Sequence, residues 1–386
     1  VAARADAVKA AEDLDAFAVW GGPFLTPAWA DELAARGVIC LGCNTGGSTS
    51  WFEQRAPYAY GVTMSGQESR IAFVEWLAKQ VAGRPAQHAG DPALAAQARR
   101  FGYLYLETSA DSAGGADRLR EELDRYGVEL AEAASYTLDL FRLQEQAGSA
   151  IARFRAAGVT TIIVSGDPLA PATFTTEATA QSFFPEWVLS GSALVDTTFF
   201  GRTYDQRQWA HAFGVTQLAA RGHPELFAPY SLYEWFHGQP PPAADAVTLL
   251  FPQPVLFYAG LQAAGPTLTP ETFQDGVFSL APTTGLVTFP SLSFGDHDIW
   301  PFTDYSGIDD LTEIWWDPAA TGPDEIGNDG QGMYRYSDGG RRYLPGEWPE
   351  RDTRAFDPGG AVALYEELPP GDRAPIYERP NSRRRQ

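Results

Sequence analysis

Cys40 and Cys43 are the chain's two cysteines, spaced C-x-x-C. At the head of a helix that spacing does thiol–disulfide exchange, because nearby positive charge and helix amides lower a thiol pKa. Here the pair lies on and just after an apolar stretch, Val38 to Leu41, that reads as a strand. Two cysteines without a nearby histidine make no zinc site. One buried core cysteine plus one at a strand end is the plainer reading, with redox chemistry as the sharper one.

Gly42-Cys43-Asn44-Thr45-Gly46-Gly47 offers backbone amides ahead of a helix. Such a loop suits a carboxylate or another polar ligand group, or serves as a simple turn. It has neither the GxGxxG spacing nor a P-loop lysine. Asp296-His297-Asp298 is the best metal triplet, and Asp317, Asp324, Glu325, Asn328 and Asp329 form an oxygen-rich stretch. The stretch has calcium-like donors without the EF-hand order, so polar loops account for both segments. No histidine has an i,i+4 partner, and no G-x-S-x-G nucleophile elbow occurs. The expectation is therefore no catalytic group, no metal and no cofactor. Tyr230, Tyr233, Trp235 and Phe236 either line an apolar pocket or belong to core.

The elements that must position these residues alternate. Phe17–Trp20 reads as a strand stopped by Gly21 and Gly22, and Thr26–Arg36 as a helix stopped by Gly37. Ser65 caps a helix running to about Val81. Strands come next at Gly102–Glu107, Val128–Tyr136, Thr160–Val164 and Trp187–Leu189. The helices Ala113–Tyr126, Gln144–Ala157 and Ala172–Phe183 separate them. Apolar strands separated by helices mean parallel sheets covered on both faces. Such sheets bind ligands beyond the carboxyl ends of their strands, so the residues after each strand matter most. After Gly201 the rhythm changes. Asp205–Arg221 and Ala244–Ala264 look helical, the second kinked at Pro252 and Pro254. A late strand covers Thr312–Trp316, Asp317–Trp348 is loop-rich, and the rest is a polar surface extension.

Composition bounds the possibilities. The 386 residues suffice for two domains, and 44% hydrophobic content supports a packed core. No apolar run approaches the ~20 residues needed to span a bilayer. A net charge of −21 argues against nucleic acid as a partner. The basic run Arg383-Arg384-Arg385 reads as a solvated tail.

The order of pieces from Phe17 to Gln54 resembles the branched-chain amino-acid and amide binding proteins, a family of type I periplasmic solute-binding proteins. The match lies in Phe17–Gly22, Thr26–Arg36 and Val38–Gly42 followed by Cys43-Asn44-Thr45. Tyr58–Val62 resembles its first hinge crossing, and Gly102–Glu107 with Thr108–Gly115 the first strand and ligand loop of its second lobe. Thr161–Gly166 and Trp187–Ser192 resemble later strands, and Ile314–Asp317 the last crossing.

The resemblance implies an α/β, two-lobed fold, each lobe a mainly parallel sheet flanked by helices, joined by hinge crossings. Lobe one would hold 1–62 and 228–305, lobe two 63–227 and 306–345, with 346–386 as extension. It places the family's first βαβ unit, and any export signal, upstream of Val1. Ligand contacts fall on Phe24, Cys43, Asn44 and Thr45 in lobe one, and on Asp111, Ser112, Asp167 and Ser192 in lobe two, with Tyr233 as an aromatic addition. Phe24 replaces a hydroxyl, Asp167 an aromatic and Ser192 an acid, so a branched-chain ligand fits poorly. A carboxylate at Asp167 suits a cationic or hydroxyl-rich molecule. The implied role is extracytoplasmic capture of a small polar, amino-acid-like or amide-like molecule for an ABC importer. The partner would be its membrane permease, possession of a lipid anchor would follow the family, and the chain would be a monomer or weak dimer. A hydrolase on the same scaffold and a ligand-sensing receptor domain are the alternatives.

Overall fold

The computed structural model describes residues 2–23, 26–43, 46–107, 114–192, 194–244, 251–283 and 285–373. Short apolar strands build two separate main sheets. β1 (Ala18–Trp20), β2 (Ile39–Leu41) and β3 (Ala59–Tyr60) pair in parallel in that order. β2 is buried throughout, as expected for a strand covered on both faces. Helices Pro252–Ala264 and Pro270–Phe278 cover one side, where Leu256, Phe273 and Val277 pack on Ile39, Leu41 and Tyr60. Helices Ala2–Glu12 and Ala28–Ala35 pack with Cys40 and Ala59.

The second sheet has eight strands. β4 (Phe101–Leu106), β5 (Leu130–Tyr136), β6 (Thr161–Ser165), β7 (Glu186–Ser190) and β8 (Ala212–Thr216) are parallel neighbours, ordered β8-β7-β6-β4-β5. β11 (Leu311–Pro323) adds antiparallel to β8, then pairs with β12 (Asp329–Tyr336) and β13 (Arg342–Tyr343). Helix Gly66–Trp76 continues as a π-helical turn, Leu77–Val81, and covers one face. Helices Leu143–Ala156 and Ala170–Ala180 cover the other. The helix after Ser65 begins with a complete capping box, Ser65 and Glu68 exchanging backbone hydrogen bonds.

Four expectations change. Asp205–Arg221 is not one helix: Gln206–Trp209 is a short turn and Ala212–Thr216 is β8, whose five residues are all buried. A short apolar run cannot be assigned to helix or strand by period alone. Pro252 starts its helix instead of kinking it, because proline's missing N–H costs nothing at the first position. The loop-rich stretch after Asp317 contains the β11–β12 hairpin. The extension does more than coat the surface. Trp348 and Ala355 are buried in the second sheet's core, and Thr353 Oγ1 donates to Glu313 Oε1 at 2.7 Å.

Three connections join the sheets. Gly61–Met64 leads from β3 to the Ser65 helix, Gln217 onward leads out of β8, and Asp309–Asp310 leads from β10 (Asp304–Ile308) into β11. β10 pairs antiparallel with β9 (Leu292–Gly295) and lies beside β3, Gly61 N donating to Tyr305 O at 2.7 Å. Ile314–Asp317, expected as the last crossing, is instead inside β11, with β12 on one side and β8 on the other at Ile314 and Trp315. Arg342 ties two connections. It donates to Asp310 Oδ1 at 2.7 Å, Asp310 O at 2.9 Å, Gln217 O at 2.9 Å and Leu218 O at 2.9 Å. Gln217 bridges further, accepting from Met64 N at 2.8 Å and donating to Gly191 O at 3.1 Å.

Beside these connections Glu68, Asp304 and Asp309 form a buried carboxyl cluster. Ser306 N donates to Asp304 at 2.7 Å and Trp300 Nε1 to Asp309 at 2.8 Å. Glu68 Oε1, Asp304 Oδ2 and Asp309 Oδ2 are buried without a hydrogen-bond partner. Burial pushes Glu68 up to about 7 and Asp309 to about 6, and with the charge on Glu68 it raises Asp304 well above the ordinary carboxylate range.

The far ends of the parallel strands hold an ion pair with both side chains fully buried, Arg99 with Glu186 at 2.7 Å. It is bidentate, and Thr161 Oγ1 also donates to Glu186 at 2.7 Å. Arg99→Met should cost about 3–5 kcal/mol in urea unfolding, because Glu186 is left charged and dry. Replacing both partners by apolar residues should cost less. The carboxyl cluster predicts a second result. Raised folded-state pKa values mean the native state binds more protons than the unfolded chain, so stability falls as pH rises from about 4 to about 7. The total loss should reach a few kcal/mol, since a tenfold difference in proton affinity is worth about 1.4 kcal/mol. Glu68→Gln should flatten the pH dependence in urea titrations across that range; an unchanged slope would contradict the assignment.

Candidate functional site

In sheets of this kind the ligand site is built from the residues beyond each strand's carboxyl end. After β1, Gly21 and Gly22 turn the chain under Trp29, whose indole Nε1 donates to Gly21 O at 3.0 Å. Gly22 has φ +139, and a side chain there would collide with that indole. After β2, Gly42 at φ +73 leads to Cys43. Cys43 is joined to Cys40 as a disulfide, with Cα atoms 5.9 Å apart. This corrects the expectation of two separate cysteines: the C-x-x-C spacing folds the strand end back within bridging distance. Cys43 is buried in the core of the first sheet, so its sulfur is committed there.

The next loop touches the second body. Gly66 N donates to Gly47 O at 3.0 Å, and Thr49 and Ser65 share a buried hydroxyl–hydroxyl bond of 3.3 Å. The start of the Ser65 helix is thus held against the first sheet's loop.

In the second sheet, Ser165-Gly166-Asp167 comes after β6 and Gly191-Ser192 after β7. Ser192 Oγ is half-buried, accepts from Gly166 N at 3.1 Å and receives the Ser190 hydroxyl at 3.3 Å. Ser192 therefore joins two adjacent tips. Asp167 is buried and its carboxylate is used internally. Leu169 N and Ala170 N donate to Oδ1 at 2.8 and 3.0 Å, and the Tyr136 hydroxyl donates to Oδ2 at 2.8 Å. The side chain caps the start of helix Ala170–Ala180, and Gly166 leaves room for the Tyr136 hydroxyl to reach it. The carboxylate, expected to face a cationic ligand, is occupied by these three donors. Burial and the Asp167 charge push the Tyr136 hydroxyl well above its ordinary range.

Tyr103, midway along β4, and Tyr105, near its end, share one face, their rings stacked 4.8 Å apart at 10°. Tyr103 is held above its ordinary range by burial, while a bond with Ser165 opposes this. Tyr233 lies on helix Ala228–His237, half-buried, with its ring 4.2 Å from His237. Phe24, Asn44, Thr45, Asp111 and Ser112 lie outside the described residues. The structure also brings forward residues that local sequence patterns do not mark: Gln217, Arg342, Tyr103 and Arg70. Only Tyr103, within a clear strand, carried a local signal.

The oxygen-rich stretch is engaged otherwise. Asp317 pairs with Arg335 at 2.6 Å, Asp324 accepts from Ile326 N and Asn328 N in the hairpin turn, and Glu325 accepts from Thr198 N and Phe199 N. Among the described residues no three acidic, histidine or cysteine side chains are grouped to hold a metal.

No protein-family model matches the chain, and no curated protein sequence does. Solved structures do. A leucine-, isoleucine-, valine-, threonine- and alanine-binding protein from Brucella ovis, in closed conformation, superposes with a TM-score of 0.60 at 12% identity, covering 94% of this chain and 85% of that one. An R. palustris ABC-transporter solute-binding protein in complex with 4-hydroxybenzoate gives 0.57 at 12% identity, over 86% and 82%. A fatty acid ABC transporter substrate-binding protein from Thermomonospora curvata gives 0.54 at 16% identity, over 86% and 77%. With two sheets, three connections and strand tips turned toward them, the chain has the two-lobed fold of type I periplasmic solute-binding proteins.

Proposed function

We propose that this chain is an extracytoplasmic solute-binding protein, which captures a small polar molecule between its two sheets and delivers it to an ABC importer. The observation that carries the reading is the set of connections. All three leave or enter beside strand tips, and Gln217 and Arg342 tie them together without fusing the sheets. A molecule touching both sets of tips would favour closure about those connections. The structural neighbours support the class: they are transporter solute-binding proteins for amino acids, an aromatic acid and a fatty acid. The Cys40–Cys43 disulfide suits an oxidising compartment outside the cytoplasm. Among the described residues no helix is long and apolar enough to cross a membrane.

Hydrolysis on this scaffold would need a base near the tips. His88 and His211 lie instead at the opposite strand ends, beside the Arg99–Glu186 pair. On this reading lobe one comprises about 1–62 and 228–305, and lobe two about 63–227 and 306–345, with 346–386 as an extension of which Trp348 and Ala355 pack into the second sheet's core.

A thermal-shift screen over amino acids, amides, carboxylic acids and sugars tests the proposal. One class should raise Tm by several degrees, since ligand at 100 times Kd adds about 2.7 kcal/mol. Native mass spectra before and after denaturation should show the same molecule intact. Turnover of the stabilising solute, or no stabilising solute at all, would contradict the proposal.

A further inference from the structure

Arg70 sits one turn into the helix Gly66–Trp76, at the end held against the first sheet's loop. Its Nη1 donates to Gly66 O at 2.8 Å, while its Nε is buried without a partner. Among the described residues its guanidinium makes no ion pair. It lies instead near a second cation, Arg118, which has interactions of its own. Burial and that neighbouring charge both push Arg70 below the usual arginine range; Tyr103, Glu122 and Glu121 oppose the shift only in part.

The surroundings place this group at the strand tips. Arg118 is in the first turn of helix Gly115–Asp124, its Nη1 close to Gly114, just beyond the end of β4. Tyr103 lies beside Ser165, the last residue of β6, and stacks on Tyr105. Gly115 lies against the Tyr105 ring. The tyrosine pair thus forms a fixed wall beside the guanidinium.

A partly dry cation beside another cation is an unfavourable arrangement until an anion joins it. In a chain of net charge −21 carboxylates are plentiful, yet none among the described residues pairs with this group. A guanidinium whose Nε has no partner keeps a donor for a carboxylate, which it matches in planarity and donor spacing. We propose that Arg70 reads the ligand's anionic group: the molecule captured between the sheets is a carboxylate, held from the second-sheet side by the Arg70 guanidinium next to Tyr103. This deepens the solute-binding reading and rests on it. It also replaces the cationic ligand that Asp167 first implied.

The test uses matched probes on the full chain: 4-hydroxybenzoate with 4-hydroxybenzamide, octanoate with octanamide, and L-leucine with L-leucinamide. Affinities are measured by calorimetry for the natural chain, Arg70→Gln and Arg70→Lys. At least one carboxylate should bind, and its amide at least about tenfold more weakly, because charge-assisted hydrogen bonds are lost. Arg70→Gln should weaken the carboxylate by a similar factor while leaving the amide unchanged, and Arg70→Lys should recover part of the loss. Circular dichroism and Tm of the unliganded variants separate lost binding from lost folding. Should Arg70→Gln fail to fold, Arg70→Lys still decides: its affinity must fall for the acid alone. Equal binding of acid and amide, or an Arg70→Gln chain that holds the acid as tightly, would overturn the anion role and leave the clamp standing. Binding of neutral solutes only would do the same. If neither these probes nor any solute of the broader screen binds, both readings fail.

Discussion

Arg342 holds together the place where two sheets become one molecule. Its side chain is almost fully buried with that of Asp310, and it reaches the backbone of both Gln217–Leu218 and Asp310. These acceptors replace the water that a guanidinium's donors would otherwise require, so breaking the pair would leave one partner buried and uncompensated. The strand tips take their position from this junction. Gly191 is reached through Gln217, and Met64 through the same amide. Because the tie is local, each sheet keeps its own packing, and relative motion needs only small backbone changes at three short connections.

The carboxyl cluster lies in the same region and gives it an unusual electrostatic character. Glu68 serves the helix cap and the cluster together, accepting from Ser65 N through one oxygen while the other faces acid neighbours. Cap and connection are therefore linked through a single side chain. Farther away, the Arg99–Glu186 pair fixes the opposite ends of β4, β6 and β7, so the second sheet is pinned at its base while its tips stay available.

Much of the architecture was legible locally. Glycine stops, the Ser65 cap and fully apolar strands marked the β–α alternation, because each depends on residues within one turn or one strand. β8 was not legible: Ala212–Thr216 is too short for its period to decide, and only glycine fits at 214 because the Leu189 backbone passes so close. The β11–β12 hairpin was hidden by its glycines, among them Gly327 and Gly332 at positive φ. For the site, positions after strands were found, but chemical roles were not. Asp167 lies after β6 as expected, yet its role came from Tyr136, distant in sequence. Arg342 and Gln217 act on partners more than a hundred residues away, which no local pattern records. Cys40 and Cys43 stand out at once in the sequence, but their pairing depends on how the strand end turns.

The central claim is that two bodies joined at the Arg342 junction close on a small molecule. Small-angle X-ray scattering tests it most directly, comparing the chain stripped of small molecules by unfolding and refolding with the same chain saturated by the solute that stabilises it most. The account predicts a smaller radius of gyration and a narrower distance distribution in the saturated sample. Identical scattering curves with the binding site demonstrably full would contradict it.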